Sequence, residues 1–146
     1  EISSKLYHSK RLDGGWAYFV DIDDESDMYF TASAYLALKS NNYNNLDNTK
    51  EFLKDKLKKY TKNDIPDPST FSKLCFIVYT FVKLEEEKKD RELKKLLIDI
   101  LKKLWKSEFC VINNDFEQNI EYPGIQKHYY VRIPWQLYST NCATTL

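Results

Sequence analysis

Two stretches of this chain that are apolar nearly all round alternate with two that carry a single apolar stripe, and this alternation limits the possible folds most sharply. The first all-apolar stretch, about Met28 to Lys39, runs through Met28, Tyr29, Phe30, Ala32, Ala34, Tyr35, Leu36, Ala37 and Leu38. A helix with no polar face must be covered on most sides. The next, about Thr49 to Tyr60, has Leu53, Leu57 and Tyr60 in one stripe against a lysine-rich face. Asn48, with Glu51 three residues on, predicts a capping box at its start. The third opens at Asp67-Pro68, an N-cap followed by proline at the first helical position. It continues to about Leu84 through Phe71, Leu74, Cys75, Ile77, Val78, Phe81 and Val82. The fourth, about Asp90 to Lys106, sets Leu93, Leu96, Leu97, Ile100, Leu101, Leu104 and Trp105 at helical spacing, with lysines opposite. Trp105 and Trp135 are expected as core or hairpin anchors.

Alternating buried and one-sided helices are what an inner and an outer layer require. Thr31-Ala32 and Ser69-Thr70 open the two inner helices about 39 residues apart, close to the period of two-helix repeats. Ser139-Thr140-Asn141-Cys142-Ala143 offers a third opening, with a fifth helix expected from near Tyr138. Between them, Ser107 to Trp135 breaks the pattern. Phe109-Cys110-Val111-Ile112 and His128-Tyr129-Tyr130-Val131-Arg132-Ile133 are β-prone and predict a short hairpin, with Pro123-Gly124 as a turn. The expectation is one all-α domain over residues 1–146, two and a half stacked helical hairpins with a β-like insertion at 107–135. The chain starts at Glu1 without a Met and stops at Leu146 inside a helical pattern, as a piece of something longer would.

Charge argues against a nucleic acid as partner. Lysine and arginine number 22, aspartate and glutamate 22, so the formal net charge is zero. A nucleic-acid binder usually shows a basic excess or a basic face, and the sequence offers neither clearly; the arginines are only Arg11, Arg91 and Arg132, few for bidentate phosphate recognition. Cys75, Cys110 and Cys142 are odd in number and form no metal-binding spacing, so free thiols in a reducing compartment, the cytoplasm, are expected. No apolar run is long enough to span a bilayer and no signal-peptide pattern opens the sequence.

Of three glycines in the chain, two stand together directly before a Trp. Gly14-Gly15 predicts a tight turn that delivers Trp16 to an apolar seat. An acidic loop, Asp21-Ile22-Asp23-Asp24-Glu25-Ser26-Asp27, and the small-residue helix Thr31-Ala32-Ser33-Ala34-Tyr35-Leu36-Ala37-Leu38 follow. This order, with looser echoes at 67–84 and 134–146, resembles a repeat of the α/α-toroid proteins, the terpenoid cyclases and protein prenyltransferases.

The resemblance implies a partial α/α toroid that needs a further domain or partner chain to close, and an isoprenoid in an apolar cavity. Asp21-Ile22-Asp23-Asp24 matches the D-x-D-D pattern of class II terpenoid cyclases, which start cyclisation by protonating an alkene or epoxide. Neighbouring carboxylates keep the donor neutral because like charges oppose its ionisation. By position in the motif Asp23 would be the donor, tuned by Asp21 and Asp24. Tyr18, Phe19, Tyr29, Phe30 and Tyr35 are the rings near enough to line a carbocation. Mg2+ is the cofactor implied if the substrate is a diphosphate. In the cyclases Thr-Ala follows the last Asp directly, whereas here Thr31-Ala32 come seven residues after Asp24. The alternative is a solvated acidic loop whose Ser26 or Asp27 caps the next helix.

Other chemistries lack their residues. An EF-hand reading of Asp21, Asp23 and Glu25 meets Ser26 where glycine belongs and Ala32 where a bidentate Glu belongs. The Asp-x-Cys of the prenyltransferase zinc site and the Gly-Cys-Gly-Glu-Gln of thioester domains are absent. His128, near Asp115, Glu117 and Glu121 in sequence, reads as a surface residue more readily than as a general base. Two functions remain: a cyclase- or prenyltransferase-like segment binding an isoprenoid, or a non-catalytic helical-repeat module for a protein or peptide.

Overall fold

A computed structural model describes residues 2–18 and 25–110, and among these the protein is all-helical. The helices are α1 (Ile2–His8), α2 (Met28–Ser40), α3 (Asp47–Lys62), α4 (Pro68–Lys83) and α5 (Arg91–Trp105), with a 3-10 turn at Glu86–Lys88. The β-like hairpin, the fifth sequence-predicted helix, Cys142 and His128 lie outside the described residues, apart from the first positions of the insertion. There Ser107 to Cys110 form a turn closed by the Cys110 N–H on the Ser107 carbonyl at 3.0 Å, not a strand.

Local chemistry sets most helix ends. Asp27, Asp67 and Asp90 each stand in extended backbone and accept N–H bonds from the first turns of α2, α4 and α5, as N-caps do. The end of α2 is a Schellman motif: Asn42 is left-handed (φ 64), its N–H reaches the Lys39 carbonyl, and the Tyr43 N–H reaches that of Leu38. At the end of α4, left-handed Glu85 (φ 55) turns the chain so that Glu86 comes back over α2 and α3.

The expected capping box of α3 is not formed. Its N-cap is Leu46, which makes no side-chain cap, and the helix already includes Asn48. Burial fixes this start: Leu46 is 1 % exposed, and the Thr49 hydroxyl donates to the Gly14 carbonyl at 2.7 Å. Tertiary contacts therefore outweigh a local cap.

Helices pack as two layers, α2 against α4 and α3 against α5, with α1 on α2. The inner helices α2 and α4 repeat in register, whereas the outer helices α3 and α5 start 44 positions apart. The Asp27 and Asp67 caps are 40 positions apart, and at that offset the buried Thr31, Ala32, Ala34, Tyr35 and Leu38 correspond to the buried Phe71, Ser72, Leu74, Cys75 and Val78. The structural register pairs Thr31 with Phe71, so the Ser69-Thr70 pairing expected from sequence is displaced by two positions. The layers also divide the charge. α2 and α4 hold three charged residues, Lys39, Lys73 and Lys83, whereas α3 and α5 hold sixteen.

Between the layers, Leu38, Leu53, Leu57, Phe71, Phe81, Leu93, Ile100 and Leu104 are fully buried. Each contributes about 1.5–3 kcal/mol relative to exposure, more than an exposed ion pair of the outer layer. Trp105, expected among the anchors, is 58 % exposed. Leu104 takes the inward position, and one residue further the helix has turned about 100°. No helix among the described residues is long and apolar enough to cross a membrane.

Candidate functional site

The glycine pair builds the site's foundation. Gly14 has φ +87, and a Cβ there would lie 2.7 Å from the Asn48 backbone; one on Gly15 would lie 2.4 Å from Ser26 Cβ. Only glycine permits both approaches. The Asp13 carboxylate accepts the Gly15 N–H at 2.9 Å and the Ser26 hydroxyl at 2.8 Å. Trp16 is then locked: its backbone N–H donates to Thr31 Oγ1 at 2.9 Å, and its carbonyl accepts the Asp27 N–H at 2.8 Å. The indole N–H donates to the Leu6 carbonyl at 2.9 Å, which seats α1. Trp16 is 5 % exposed, as the turn predicted.

Beside this seat lies an open groove of about 350 Å³, lined by Leu6, Trp16, Phe30, Ser33, Ala34 and Ala37 among others. Phe30 also belongs to a ladder of five aromatic rings that crosses from the turn to α4. Tyr18 meets Phe30 edge-on with centroids 5.1 Å apart, and Phe30 meets Tyr29 at 5.7 Å. Tyr29 lies 4.9 Å from Phe76, which stacks on Tyr79 at 6.1 Å. All four spacings fall in the range of favourable ring pairs. Tyr29, Phe30 and Tyr79 are half-buried, and Tyr18 is 66 % exposed.

The sequence-predicted aromatic wall is thus assembled in part. Tyr18, Tyr29 and Phe30 are together, whereas Tyr35 is fully buried and turned to the opposite side, where its hydroxyl donates to Glu86 at 3.2 Å. Phe76 and Tyr79 belong to the ladder although sequence did not single them out. Their signal was present: both stand to one side of the Phe71–Leu74–Cys75–Val78 stripe of α4. Phe19, Asp21, Asp23 and Asp24 lie outside the described residues. Asp27 Oδ1 caps α2, while its Oδ2 is 2.5 Å from Lys73 Nζ on α4.

Neither the family models, nor the curated proteins, nor the solved structures contain a match to this chain.

A second polar centre, on the far side of α2, ties the layers together. Glu86 faces Lys50 at 3.1 Å and Lys39 at 3.8 Å, and Asp90 faces Lys50 at 3.4 Å and Lys54 at 3.7 Å. Burial first, then the Glu86 charge, push the Tyr35 phenol far above its ordinary range, so it remains a donor. Burial works against the Lys54 ammonium, but Glu51, Asp90 and Glu92 outweigh it and hold Lys54 above its usual value. The Leu93 N–H, assisted by Lys54 and Lys50, holds the Asp90 carboxyl below the usual carboxylate range despite its partial burial. Every member has a partner of opposite charge or a hydrogen bond, so this is a structural network.

Among the described residues, no group of three or more His, Cys, Asp or Glu side chains is disposed to hold a metal. Burial raises the Cys110 thiol above its ordinary value, which lowers its thiolate fraction and its reactivity. Cys75 is buried on α4.

Proposed function

We propose that this protein is a helical-repeat binding module that holds an apolar, aromatic-rich peptide segment of a partner protein across the α2/α4 layer. The observation that carries the reading is the ring ladder from Tyr18 to Tyr79 on the layer poorest in charge. Of that layer's three lysines, Lys39 is drawn to Glu86 and Lys73 to Asp27. Half-buried rings on a rigid helical platform supply contact area at small entropic cost, the chemistry of binding hot spots. The adjoining groove at Trp16 and Phe30 would take one apolar anchor of the peptide.

A second reading rests on the hairpin repeat. Helices α2 and α4 in register at 40 positions support a sector of an α/α toroid, with these two as inner helices and the ladder as part of an isoprenoid-lining wall. In that reading Asp23 would donate a proton, with Asp21 and Asp24 tuning it, and a further domain or chain would close the cavity. The open groove favours the peptide, since small-molecule sites enclose most of their ligand's surface.

Selection of a phage-displayed random peptide library on the full chain separates the two. The binding module should yield peptides rich in aromatic and leucine side chains, whose affinity falls about tenfold with Tyr79→Ala or Tyr18→Ala. A parallel thermal-shift titration uses farnesyl or geranylgeranyl diphosphate with Mg2+. Saturable stabilisation, about 2.7 kcal/mol at a hundredfold excess over Kd, lost in Asp23→Asn, would replace the peptide reading with the isoprenoid one.

A further inference from the structure

α5 turns a second apolar file away from the core. Leu93, Leu96, Leu97, Ile100 and Leu104 fill its buried side. On the other side stand Ile98, 44 % exposed, Leu101, half-buried, and Trp105, 58 % exposed. Their i, i+3, i+7 spacing makes them surface neighbours along one helix. Leu101 and Trp105, with the stems of Lys102 and Lys106, line a shallow hollow of about 300 Å³.

The charges beside this file are nearly all of one sign. Arg91, Lys94, Lys95, Lys102 and Lys106 are exposed around it, and at about 100° per residue they flank Ile98 and Trp105 on the solvent side. None of the five forms an ion pair among the described residues. Two acids lie on α5's exposed surface. Asp99 is at the edge of the strip, and Glu92 is engaged by Lys54 at 3.7 Å and Lys58 at 3.5 Å. A chain with zero net charge thus concentrates around an exposed tryptophan five cations that make no ion pair among the described residues.

We propose that the outer face of α5 docks on an anionic lipid leaflet, with Trp105 and Ile98 entering the headgroup region and the five cations lying over lipid phosphates and carboxylates. Charge complementarity selects an anionic surface, and shape selects lipid over protein. Three apolar side chains in single file on a convex helix fall far short of the roughly 20–30 residues a side of a stable protein interface. A bilayer surface accepts a shallow apolar file and adds the attraction of each nearby lysine. Tryptophan is at home at headgroup depth, and lysine stems can lie along apolar surface while their ammonium groups stay in the polar layer.

The test is flotation of the full chain with vesicles of phosphatidylcholine alone or with phosphatidylserine at about 30 mol %. It is run at about 0.1 M and about 1 M salt, between which the screening length falls from about 10 Å to about 3 Å. The protein should float only with the phosphatidylserine vesicles and should be released by high salt. The triple variant Lys95→Gln, Lys102→Gln, Lys106→Gln should weaken partitioning about 100-fold, at about fivefold per lysine, and Trp105→Ala about tenfold. All four positions are exposed, so the variants should melt with the wild type. Absence of flotation with phosphatidylserine, or flotation unchanged in both variants, would overturn the proposal. So would a dimer in sedimentation that Trp105→Ala dissolves, which would assign the face to a second copy. Saturable binding of a glutamate-rich helical peptide without vesicle binding would assign it to a protein.

Discussion

Lys73 on α4 reaches across to Asp27 at the start of α2, placing its ammonium 2.5 Å from the carboxylate that caps that helix. One carboxylate thus serves two bonds of different worth. Asp27→Ala removes the cap from the Tyr29 and Phe30 N–H groups and should cost about 1–2 kcal/mol. Lys73→Met removes only a partly exposed pair and should cost less than about 1 kcal/mol. Urea unfolding of the two single variants and the double variant checks the ranking; equal losses would show that the pair, not the cap, dominates.

The Gly15 contact gives a sharper test. Gly15→Ala would put a methyl 2.4 Å from Ser26 Cβ, and overpacking of this kind costs about 1–3 kcal/mol. Adding Ser26→Gly removes the clashing atoms, so the double variant should recover part of the loss in thermal melts. Gly14→Ala should not be rescued by the same change, because it meets the Asn48 backbone and keeps φ at +87.

Acid should weaken the caps. The Asp67 carboxyl is held below its ordinary value chiefly by the Thr70 N–H, and that of Asp90 chiefly by the Leu93 N–H. Their contribution is present in full above the unfolded carboxylate value, about 3.9. It is lost as the pH falls through that value towards the lower folded one. Tm should therefore drop below about pH 4. Asp67→Asn with Asp90→Asn, which keeps cap geometry without a titrating charge, should flatten the drop; an unchanged slope would assign acid sensitivity to other carboxylates.

At Tyr35 the expected loss is that of a single bond to a charged group. Tyr35→Phe keeps the buried ring and deletes the hydroxyl that meets Glu86, for about 1.5–3 kcal/mol. In alkaline titration followed by tyrosinate absorbance, wild type and variant should coincide until the protein unfolds, because the folded-state phenol resists ionisation.

Elements whose ends are set by their own residues were legible in the sequence. Asp67-Pro68 and Asp90 start α4 and α5 where capping chemistry places them, and the all-round apolar pattern separated α2 and α4 from the lysine-rich layer. What escaped depended on distant partners. α1 is seven residues long with no fully buried residue, and it is anchored by the Trp16 indole on the Leu6 carbonyl. α3 starts early because Leu46 is buried and Thr49 meets Gly14. Of the aromatic wall, proximity in sequence found Tyr18, Tyr29 and Phe30, but it also drew in Tyr35, which the helical turn sends to the Glu86 side. Phe76 and Tyr79 come from the second hairpin, and their place beside the buried stripe of α4 was the only local sign of them.

The Asp13–Trp16 turn touches the starts of α2 and α3 and the body of α1 through bonds that all depend on the same two glycines. Such a junction opens all at once or not at all. In hydrogen–deuterium exchange, the Trp16 amide should therefore exchange as slowly as the middle of α4, and a four-residue turn should report the global opening of the first hairpin.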